Sequence, residues 1–446
     1  MLTNLFSQSK ESAVDIEVLD GTLNKVRQLV HQRLIDSVEI EGAGVLSDAE
    51  SISEQIQWLL TEFSEKNGLD FNSEEKKKIE NEIILELDGM GPLASLMMDS
   101  SVSDILVNGP HDIWVDRRGE LSKTDVRFDD HSHLRRFLDR ILAMQGKALD
   151  SSNPMVDAKL PDGSRLHAVI SPLCSLGAVV SIRRFQKHSQ NVEELLQQGF
   201  VSKGVFGLLK LAVQAGLNIV VAGGASAGKT SLLNQLSAFI PDNERVVTIE
   251  ETAELRLRNA HCIPLETRTA NTEGRGEVSL RELLRTALRM RADRIIVGEV
   301  RGAEVFDMLQ AMNIGHDGSM TTVHANSPHD VISRLETLAL MEMNSFSRQS
   351  IRGMIGSAIH LIVQLTRYSD GTRAISSVCL LSVEEGELNT ATLYTGTRAP
   401  GSGCDQRKMH YAVQLKLLNT LSERGYETEK LRVELEKEAL GEIACH

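Results

Sequence analysis

Residues 220–236, VVAGGASAGKTSLLNQL, constrain the fold of this chain more than any other stretch. A short apolar run is followed by a crowd of small residues and then by apolar positions at helical spacing. This order predicts a buried strand, a tight turn and a helix that begins at Lys229. Small residues let successive backbone N–H groups converge on an anion, and a helix N-terminus adds a favourable dipole. The stretch therefore predicts a phosphate-binding loop.

The spacing Gly-x-x-x-x-Gly-Lys-Thr makes that prediction more specific. Lys229 would reach the β and γ phosphates of a nucleotide, and the Thr230 hydroxyl would hold Mg²⁺. The alternative is a tight strand-to-helix turn with a coincidental Lys-Thr pair, but the flanking strand and helix favour the nucleotide site. The predicted nucleotide-binding residues are Gly223, Gly224, Ala225, Ser226, Ala227, Gly228, Lys229, Thr230 and Ser231.

Composition excludes several classes of function. The chain has 446 residues, 41% of them hydrophobic, which is enough for two or three domains with real cores. A formal net charge of -14 gives no general basic surface for nucleic acid. No apolar stretch reaches the ~18 residues that span a bilayer, and the N-terminus does not resemble an export signal. The five cysteines include no C-x-x-C pair, so neither a disulfide framework nor a zinc site is indicated. We expect a soluble, cytoplasmic chain that binds no nucleic acid.

The periodicity of apolar residues divides the chain into three regions. Residues 1–88 carry helical spacing, for example at Leu23, Val26, Val30 and Leu34, and predict an N-terminal helical region.

Residues 89–190 combine short strand-like runs with one helix, HLRRFLDRILAMQG, as in a small α+β domain. From 191 to 446 strands and helices alternate, and one of these helices opens with a Ser279/Glu282 capping box. Such alternation predicts an α/β fold with a mostly parallel sheet and helices on both faces.

Acidic residues and histidines stand at the ends of the predicted strands. RIIVGE ends in Glu299 and VVTIEE ends in Glu250 and Glu251. Carboxylates at the same edge as the phosphate loop can approach Mg²⁺ through water or orient an attacking water, as hydrolysis requires. Solvated strand-end carboxylates are the alternative. His316 and His324 flank the strand SMTTVH. A histidine at a strand end can bond the γ phosphate, although two plain surface histidines explain the pattern equally well.

Four stretches in this order resemble the signatures of the secretion ATPases, which power type II secretion, type IV pili and type IV secretion: GGASAGKTSLLN, VVTIEETAELRL, RADRIIVGEVRGAE and GHDGSMTTVHANSP. Within that superfamily the chain is most similar to the tight-adherence (Tad/Flp) pilus ATPases. LMMDSSVSDILVNGPHDIWVDRRGEL, DGSRLHAVISP and SIRRF match their N-terminal domain, and LETRTANTEGRGEV matches the linker after their acidic motif. The resemblance covers roughly residues 80 to 370.

The resemblance implies a homohexameric ring. In each subunit, a RecA-like ATPase domain would follow the smaller N-terminal domain in the sequence. Each subunit would hydrolyse ATP with Mg²⁺ to power pilus assembly, with retraction as a further activity. The implied partners are inner-membrane platform proteins, so the protein would be cytoplasmic and peripheral to the inner membrane.

The resemblance also implies roles for the acids and histidines. Glu250 would be the catalytic carboxylate, Glu299 would coordinate Mg²⁺ through water, and His316 and His324 would sense the γ phosphate. Glu251 stands where relatives often have Asp, which leaves open which acid of the pair acts.

Arginines are a further set of candidates, because an arginine from a mobile domain can stabilise charge on the γ phosphate when that domain closes. The alternative for each is a solvated strand-end cation. In a strand SIRRF, neighbouring side chains point to opposite faces, so we expect only one of its two arginines to matter. The candidates are Arg165, Arg183 and Arg184 ahead of the ATPase domain and Arg268, Arg275 and Arg301 inside it.

Two other functions stay open. An ATPase of a type IV secretion or conjugation machine shares all four motifs, although the helical region and the linker favour the pilus branch. A nucleotide-gated scaffold would bind ATP without useful turnover, and the complete set of acids and histidines argues against it.

Overall fold

The computed structural model describes Val26, Val30 and residues 49–67, 71–87, 90–117, 119–185, 192–257, 259–268, 270, 275–342, 346–398 and 405–439. By internal packing the chain divides into two units, residues 1–184 and 185–446. Leu23 and Leu34 of the first predicted helix, and residues 271–274 of the predicted linker, lie outside the described residues. A separate helical region that ends at residue 88 stays a prediction.

The first unit contains a six-stranded antiparallel sheet with the strand order β3-β2-β1-β6-β5-β4. Alternate residues of β5 and β6 are buried, which is the pattern of a sheet with one covered face. The strands are β1 (Val102–Val107), β2 (Ile113–Arg117), β3 (Glu120–Lys123), β4 (Met155–Lys159), β5 (Arg165–Ile170) and β6 (Ala178–Arg183).

Helices cover the buried face of this sheet and form a smaller cluster beside it. The fourth helix begins where the Asp130 side chain accepts a hydrogen bond from the His133 amide, and its apolar stripe joins the core of the sheet. Val26 and Val30, both helical, share a second cluster with the first two helices. The helices are α1 (Ala49–Asn67), α2 (Ser73–Leu87), α3 (Ala94–Met98) and α4 (His131–Ala143).

The second unit is built on a nine-stranded sheet with the order β15-β14-β13-β12-β7-β11-β10-β8-β9. Six neighbouring strands run parallel, namely β12, β7, β11, β10, β8 and β9. Strands β12 to β15 form an antiparallel meander. The strands are β7 (Ile219–Gly223), β8 (Val246–Glu250), β9 (Cys262–Glu266), β10 (Arg294–Val297), β11 (Met320–His324), β12 (Leu361–Arg367), β13 (Arg373–Glu384), β14 (Glu387–Arg398) and β15 (Asp405–Met409).

Helices pack on both faces of this sheet around two separate cores. One core contains residues of α5, α6, α7, α12 and α13, and the other contains residues of α8 to α11. The predicted capping box is present at the start of α8. These helices are α5 (Val192–Gln197), α6 (Lys203–Gln214), α7 (Lys229–Ser237), α8 (Leu280–Ala287), α9 (Glu304–Asn313), α10 (Pro328–Glu342), α11 (Arg348–Ala358), α12 (Tyr411–Glu423) and α13 (Glu429–Ala439).

This arrangement confirms the predicted α/β class. β7, β8 and β10 are buried along their whole length, as expected for parallel strands covered on both faces. None of the described helices is both long and apolar enough to cross a membrane.

Candidate nucleotide site

Four neighbouring parallel strands, β7, β11, β10 and β8, end at the same side of the sheet, which we call the carboxyl edge. Gly223, His324 and Glu250 are the last residues of β7, β11 and β8, and Glu299 follows β10 by two residues. The fold therefore brings the phosphate loop, one histidine and the two acidic motifs together. Ligands of open α/β sheets bind at this edge.

The backbone of residues 223–228 explains why small residues fill the loop. A Cβ atom on Gly223 would lie 2.9 Å from the Leu365 carbonyl oxygen, so only glycine lets the chain pass there. Gly228 has a φ of 92°, in the left-handed region that favours glycine. Gly228 is also the N-cap of α7 and offers no side-chain cap. The first-turn amides of α7 are thus left for an anion.

Lys229 is buried, with 7% of its surface exposed. Its Nζ donates to the carbonyl oxygens of Gly223 and Gly224 at 3.2 and 3.0 Å. The same Nζ lies 3.2 and 3.3 Å from the two ring nitrogens of His324. The ammonium group is therefore folded back onto its own loop, where phosphate oxygens could replace these contacts.

Charged side chains continue from Lys229 along the carboxyl edge. His324 Nε2 lies 3.0 Å from Glu299 Oε1, and Arg301 donates to Glu299 Oε2 at 2.7 Å and to Glu251 Oε2 at 3.3 Å. Burial, and then the Lys229 charge, lower the pKa of His324, while Glu299 opposes them. A neutral imidazole can accept a hydrogen bond from the Lys229 ammonium. These five groups, from Lys229 to Glu251, form one connected chain.

Glu250 is separated from this chain and 5% exposed. Its Oε1 accepts the amide hydrogens of Glu254 and Leu255 at 2.9 and 3.0 Å. Burial raises the pKa of the Glu250 carboxyl to about 7, against the lowering effect of these two amides. A carboxyl that exchanges its proton near neutral pH suits a general base. The exposed Glu251 instead pairs with Arg301, so the two acids of the pair occupy different environments.

The two predicted histidines lie at opposite ends of strand β11. His324 ends β11 at the carboxyl edge, whereas His316 precedes β11 and its Nδ1 lies 2.8 Å from the Ala292 carbonyl oxygen. A strand of five residues separates them, so the structure brings His324 to the phosphate loop of its own chain and does not bring His316 there.

The three arginines of the first unit all have partners within that unit. Arg165 lies 3.5 Å from Asp157, and Arg183, with 67% of its side chain exposed, lies 3.4 Å from Asp104. The guanidinium of Arg184 donates to three backbone carbonyls near the end of α3 and the start of β1. Arg184 therefore holds its own unit together.

The arginines of the second unit differ from one another. Arg268 donates from Nε to the Gly276 carbonyl oxygen at 2.5 Å, and its backbone bridges to Val278. Arg275 belongs to the segment between those two bridged residues. Arg301 contacts two acids of the carboxyl edge, Glu299 and Glu251.

Two residues at the site were missed by the sequence reasoning. A Cβ atom on Gly298 would lie 3.0 Å from Glu250 Cγ, so glycine makes room for the buried acid. A glycine directly after a buried strand is a detectable signal of such close approach. Asn234 of α7 accepts the Arg256 amide hydrogen at 2.8 Å and donates to the Glu254 carbonyl oxygen at 3.3 Å. A polar residue in a helix gives no comparable signal.

The residues present fit a nucleotide with Mg²⁺. Glu299 Oε1 is buried and has no hydrogen bond of good geometry, so it can accept from a water of a hydrated cation. Thr230, one residue after Lys229, is half-buried beside the loop. Among the described residues no group of three or more His, Cys, Asp or Glu could hold a metal ion alone.

Comparison with known proteins identifies the family. Residues 86–437 match the family described as "Type II/IV secretion system protein". A Mycobacterium tuberculosis protein named for conjugal transfer is 37% identical over 331 residues, which are 73% of this chain and 93% of that protein. The type IV secretion system protein PtlH homolog of Bordetella bronchiseptica is 33% identical over 60% of this chain and 86% of its own length.

Among solved structures, the VirB11 ATPase of Brucella suis is 27% identical and covers 66% of this chain and 97% of its own, with a TM-score of 0.36. The family match spans well over half of the residues, and the phosphate loop, both acidic motifs and His324 lie inside it. The chain therefore belongs to the type II/IV secretion system protein family.

Proposed function

We propose that this chain hydrolyses ATP with Mg²⁺ and that hydrolysis drives a type II/IV secretion machine. The observation that carries this proposal is the connected contact from Lys229 through His324 to Glu299 at the carboxyl edge, with the buried Glu250 beside it. A phosphate loop alone would also serve a switch, but acids that can bind a hydrated cation and accept a proton serve turnover.

Each of these residues would have a distinct task in hydrolysis. The loop amides and Lys229 bind the β and γ phosphates, and Lys229 exchanges its contacts with the loop carbonyls and His324 for phosphate oxygens. Bound Mg²⁺ supplies positive charge that offsets the charge of the phosphates. Glu250 accepts the proton of the attacking water as the new P–O bond forms and the bond to the ADP oxygen breaks. His324, released by Lys229, can then donate a hydrogen bond to an oxygen of the γ phosphate.

The test is steady-state phosphate release by the purified full chain as Mg²⁺ is varied. We expect turnover in the parent and, in Glu299→Gln, a shift of the half-saturating Mg²⁺ concentration upward, because an amide binds a hydrated cation less well than a carboxylate does. Nucleotide binding without phosphate release at any Mg²⁺ concentration would instead support a nucleotide-gated scaffold.

More specifically, we propose that the machine is a Tad/Flp-type pilus. The chain would act as a homohexamer that assembles the pilus and can also retract it. The support is the similarity of three stretches to the N-terminal domain of those ATPases. DILVNGPHDIWVD and DGSRLHAVISP contribute to β1, β2 and β5, and the first three residues of SIRRF end β6. The partners would then be inner-membrane platform proteins, and the protein would be cytoplasmic and peripheral to that membrane.

A type IV secretion or conjugation machine is the second candidate. It is favoured by the 37% identity to a protein named for conjugal transfer and by the PtlH homolog. Deletion of the gene in its own bacterium separates the two functions. Loss of surface pili with unchanged DNA and protein transfer supports the pilus, and the reverse result supports secretion.

The assembly and the location have their own tests. Light scattering of the purified protein with ATP should give the mass of six chains, and a monomer under all nucleotide conditions would contradict the ring. Cell fractionation should find the protein at the membrane only when the platform proteins are present.

A further inference from the structure

A series of short contacts connects Phe185 to the buried carboxyl of Glu250. Phe185 is the first residue of the second unit, and the Arg256 guanidinium lies 4.2 Å from the centre of its ring. Arg256 ends the segment 254–256, whose first two amides donate to Glu250 Oε1. We call this segment the Glu250 cradle. One end of the cradle therefore contacts the point where the chain enters the unit, and the other end holds the acid.

Asn234 attaches the cradle to α7, the helix that begins in the phosphate loop. Its side-chain amide bonds the Arg256 N–H and the Glu254 carbonyl, at 2.8 and 3.3 Å. A single side chain that bonds both ends of a three-residue segment fixes the direction of the amides between them. The loop that would hold the phosphates and the acid that would accept the proton thus share one support.

The direction of those amides decides the state of Glu250. Hydrogen bonds from backbone amides favour the ionised carboxylate, whereas burial opposes it. The other ionisable groups that face it are the carboxylates of Glu254 and Glu266, which also oppose ionisation, and the Cys262 thiol on β9. The two cradle amides are therefore the interactions that keep Glu250 available as a base.

We propose that Phe185 and Arg256 form a coupling contact that holds the cradle where Glu250 can accept a proton. Phe185, Arg256 and Asn234 are positioning residues, since they act through the cradle and contact no substrate. This inference rests on the proposed ATP hydrolysis and adds a route of control. A displacement of Phe185 by the chain that precedes it would release Arg256, loosen the cradle and slow hydrolysis without weakening nucleotide binding.

The test is a double-mutant cycle on the full chain, with kcat and KM for ATP measured for each variant. A partly exposed cation–π contact is worth about 0.5–1 kcal/mol, so Phe185→Leu and Arg256→Met should each lower kcat about 2- to 5-fold with KM unchanged. The double variant should be no slower than the slower single variant, because both break one contact. Phe185→Tyr and Arg256→Lys, which keep a ring and a cation, should restore most of the rate.

Asn234→Ala provides a second measurement, since it removes both bonds that fix the cradle, and should lower kcat about 10-fold. The matched control is Lys210→Met. Lys210 Nζ lies 5.3 Å from the centre of the Phe239 ring in the same unit, with no bond to the cradle, so its loss should leave kcat unchanged.

The outcomes distinguish the coupling contact from the proposed hydrolysis. Additive losses in the cycle, a change in KM alone, or parental kcat in the Phe185, Arg256 and Asn234 variants of an active enzyme would overturn the coupling contact only. A parent that binds ATP but releases no phosphate would overturn both.

Discussion

Both ends of the parallel strands in the second unit, the amino ends and the carboxyl edge, carry polar residues, but the surroundings of these residues differ. Asn218, directly before β7, and Arg294, the first residue of β10, are 0% and 2% exposed. Asn218 bonds the backbone of Ser319 and Ala358, and Arg294 donates to Glu244 and to the Val213 carbonyl oxygen. At the carboxyl edge, by contrast, His324, Glu299, Arg301 and Glu251 are partly exposed and contact one another.

This difference separates structure from function. Polar groups that are almost fully buried and tie separate elements together, as Asn218 and Arg294 are, hold those elements in place. Side chains that pair with other side chains can give up those partners to a ligand, as Lys229 and His324 could. Glu299 Oε1, whose contact with His324 lacks good hydrogen-bond geometry, and the raised pKa of Glu250 mark the same edge. Four substitutions test whether the contrast between the two edges is real.

The largest effect is expected for Lys229→Ala at the carboxyl edge. Loss of a positioned charge at the phosphates should lower kcat by on the order of 10³-fold, while the melting temperature changes little because the ammonium bonds the loop carbonyls and His324 within the site. The measurements are phosphate release and thermal unfolding. Parental turnover in a folded variant would remove Lys229 from the site.

Glu250→Gln should come next, with kcat lowered by on the order of 10²-fold and ATP still bound. The parental kcat should rise with pH through about 7, as the Glu250 carboxyl ionises, and the variant should lose that rise. Turnover and ATP binding between pH 5.5 and 8.5 check both statements. Should Glu251→Gln be the inactive variant and Glu250→Gln the active one, the assignment within the acidic pair is wrong.

Stability gives an independent check of the same variant. The pKa of Glu250 is raised from 4.5 to about 7 in the folded chain, so folding favours the protonated carboxyl. The contribution of Glu250 to stability is therefore fully present below pH 4.5 and is lost as the pH rises through about 7. Glu250→Gln should remove this loss and unfold at a higher temperature than the parent at pH 8, by a free energy of at most about 3 kcal/mol. Equal melting temperatures at pH 8 would contradict the burial argument.

Arg294→Met at the amino ends of the strands should show the opposite behaviour. It leaves Glu244 and the Val213 carbonyl without their donor, which should lower the free energy of unfolding by about 2 to 3 kcal/mol. Below the melting temperature kcat should stay within about twofold of the parent. Urea unfolding tests the expected loss of stability, and phosphate release tests the unchanged kcat. A large loss of kcat at unchanged stability would contradict a structural role for Arg294.

The smallest effect is expected for His316→Ala, because its ring contacts a backbone carbonyl far from the phosphate loop of its own chain. We expect kcat to change less than about twofold and the free energy of unfolding by about 1 kcal/mol. The matched variant is His324→Ala, which removes a direct contact of Lys229 and should reduce kcat strongly. Equal losses in both would show that His316 reaches a nucleotide in the assembled protein.

Local pattern was sufficient to predict much of the second unit. The strand, loop and helix around Lys229, the capping box at Ser279 and the α/β alternation depend on residues close in sequence. The meeting of Glu250 and Glu299 at one edge also followed, because parallel strands place their carboxyl ends together.

Partners that come from distant backbone could not be predicted. The sequence offered Arg184 as one of several arginines that could reach a nucleotide, and carbonyls more than 80 residues away in the chain bind its guanidinium. It grouped His316 with His324, although a strand of five residues separates them. The environment of Glu250 depends on Gly298, directly after β10, and on the Glu250 cradle that Asn234 holds. Each of these facts is set by packing that periodicity does not encode.

The order of strands in the second sheet also has a consequence for how the chain folds. Ile219 of β7 pairs with Met320 of β11 and with Leu361 of β12, so both neighbours of β7 are synthesised long after it. The meander β12 to β15 joins consecutive strands and closes shorter loops, so we expect it to form faster. Until β11 and β12 have been synthesised, the apolar strand β7 has unpaired backbone groups along both of its edges. Such a strand favours aggregation on the ribosome and afterwards. A chain that stops before β12 therefore contains every residue of the phosphate loop and still lacks the strand needed to hold it.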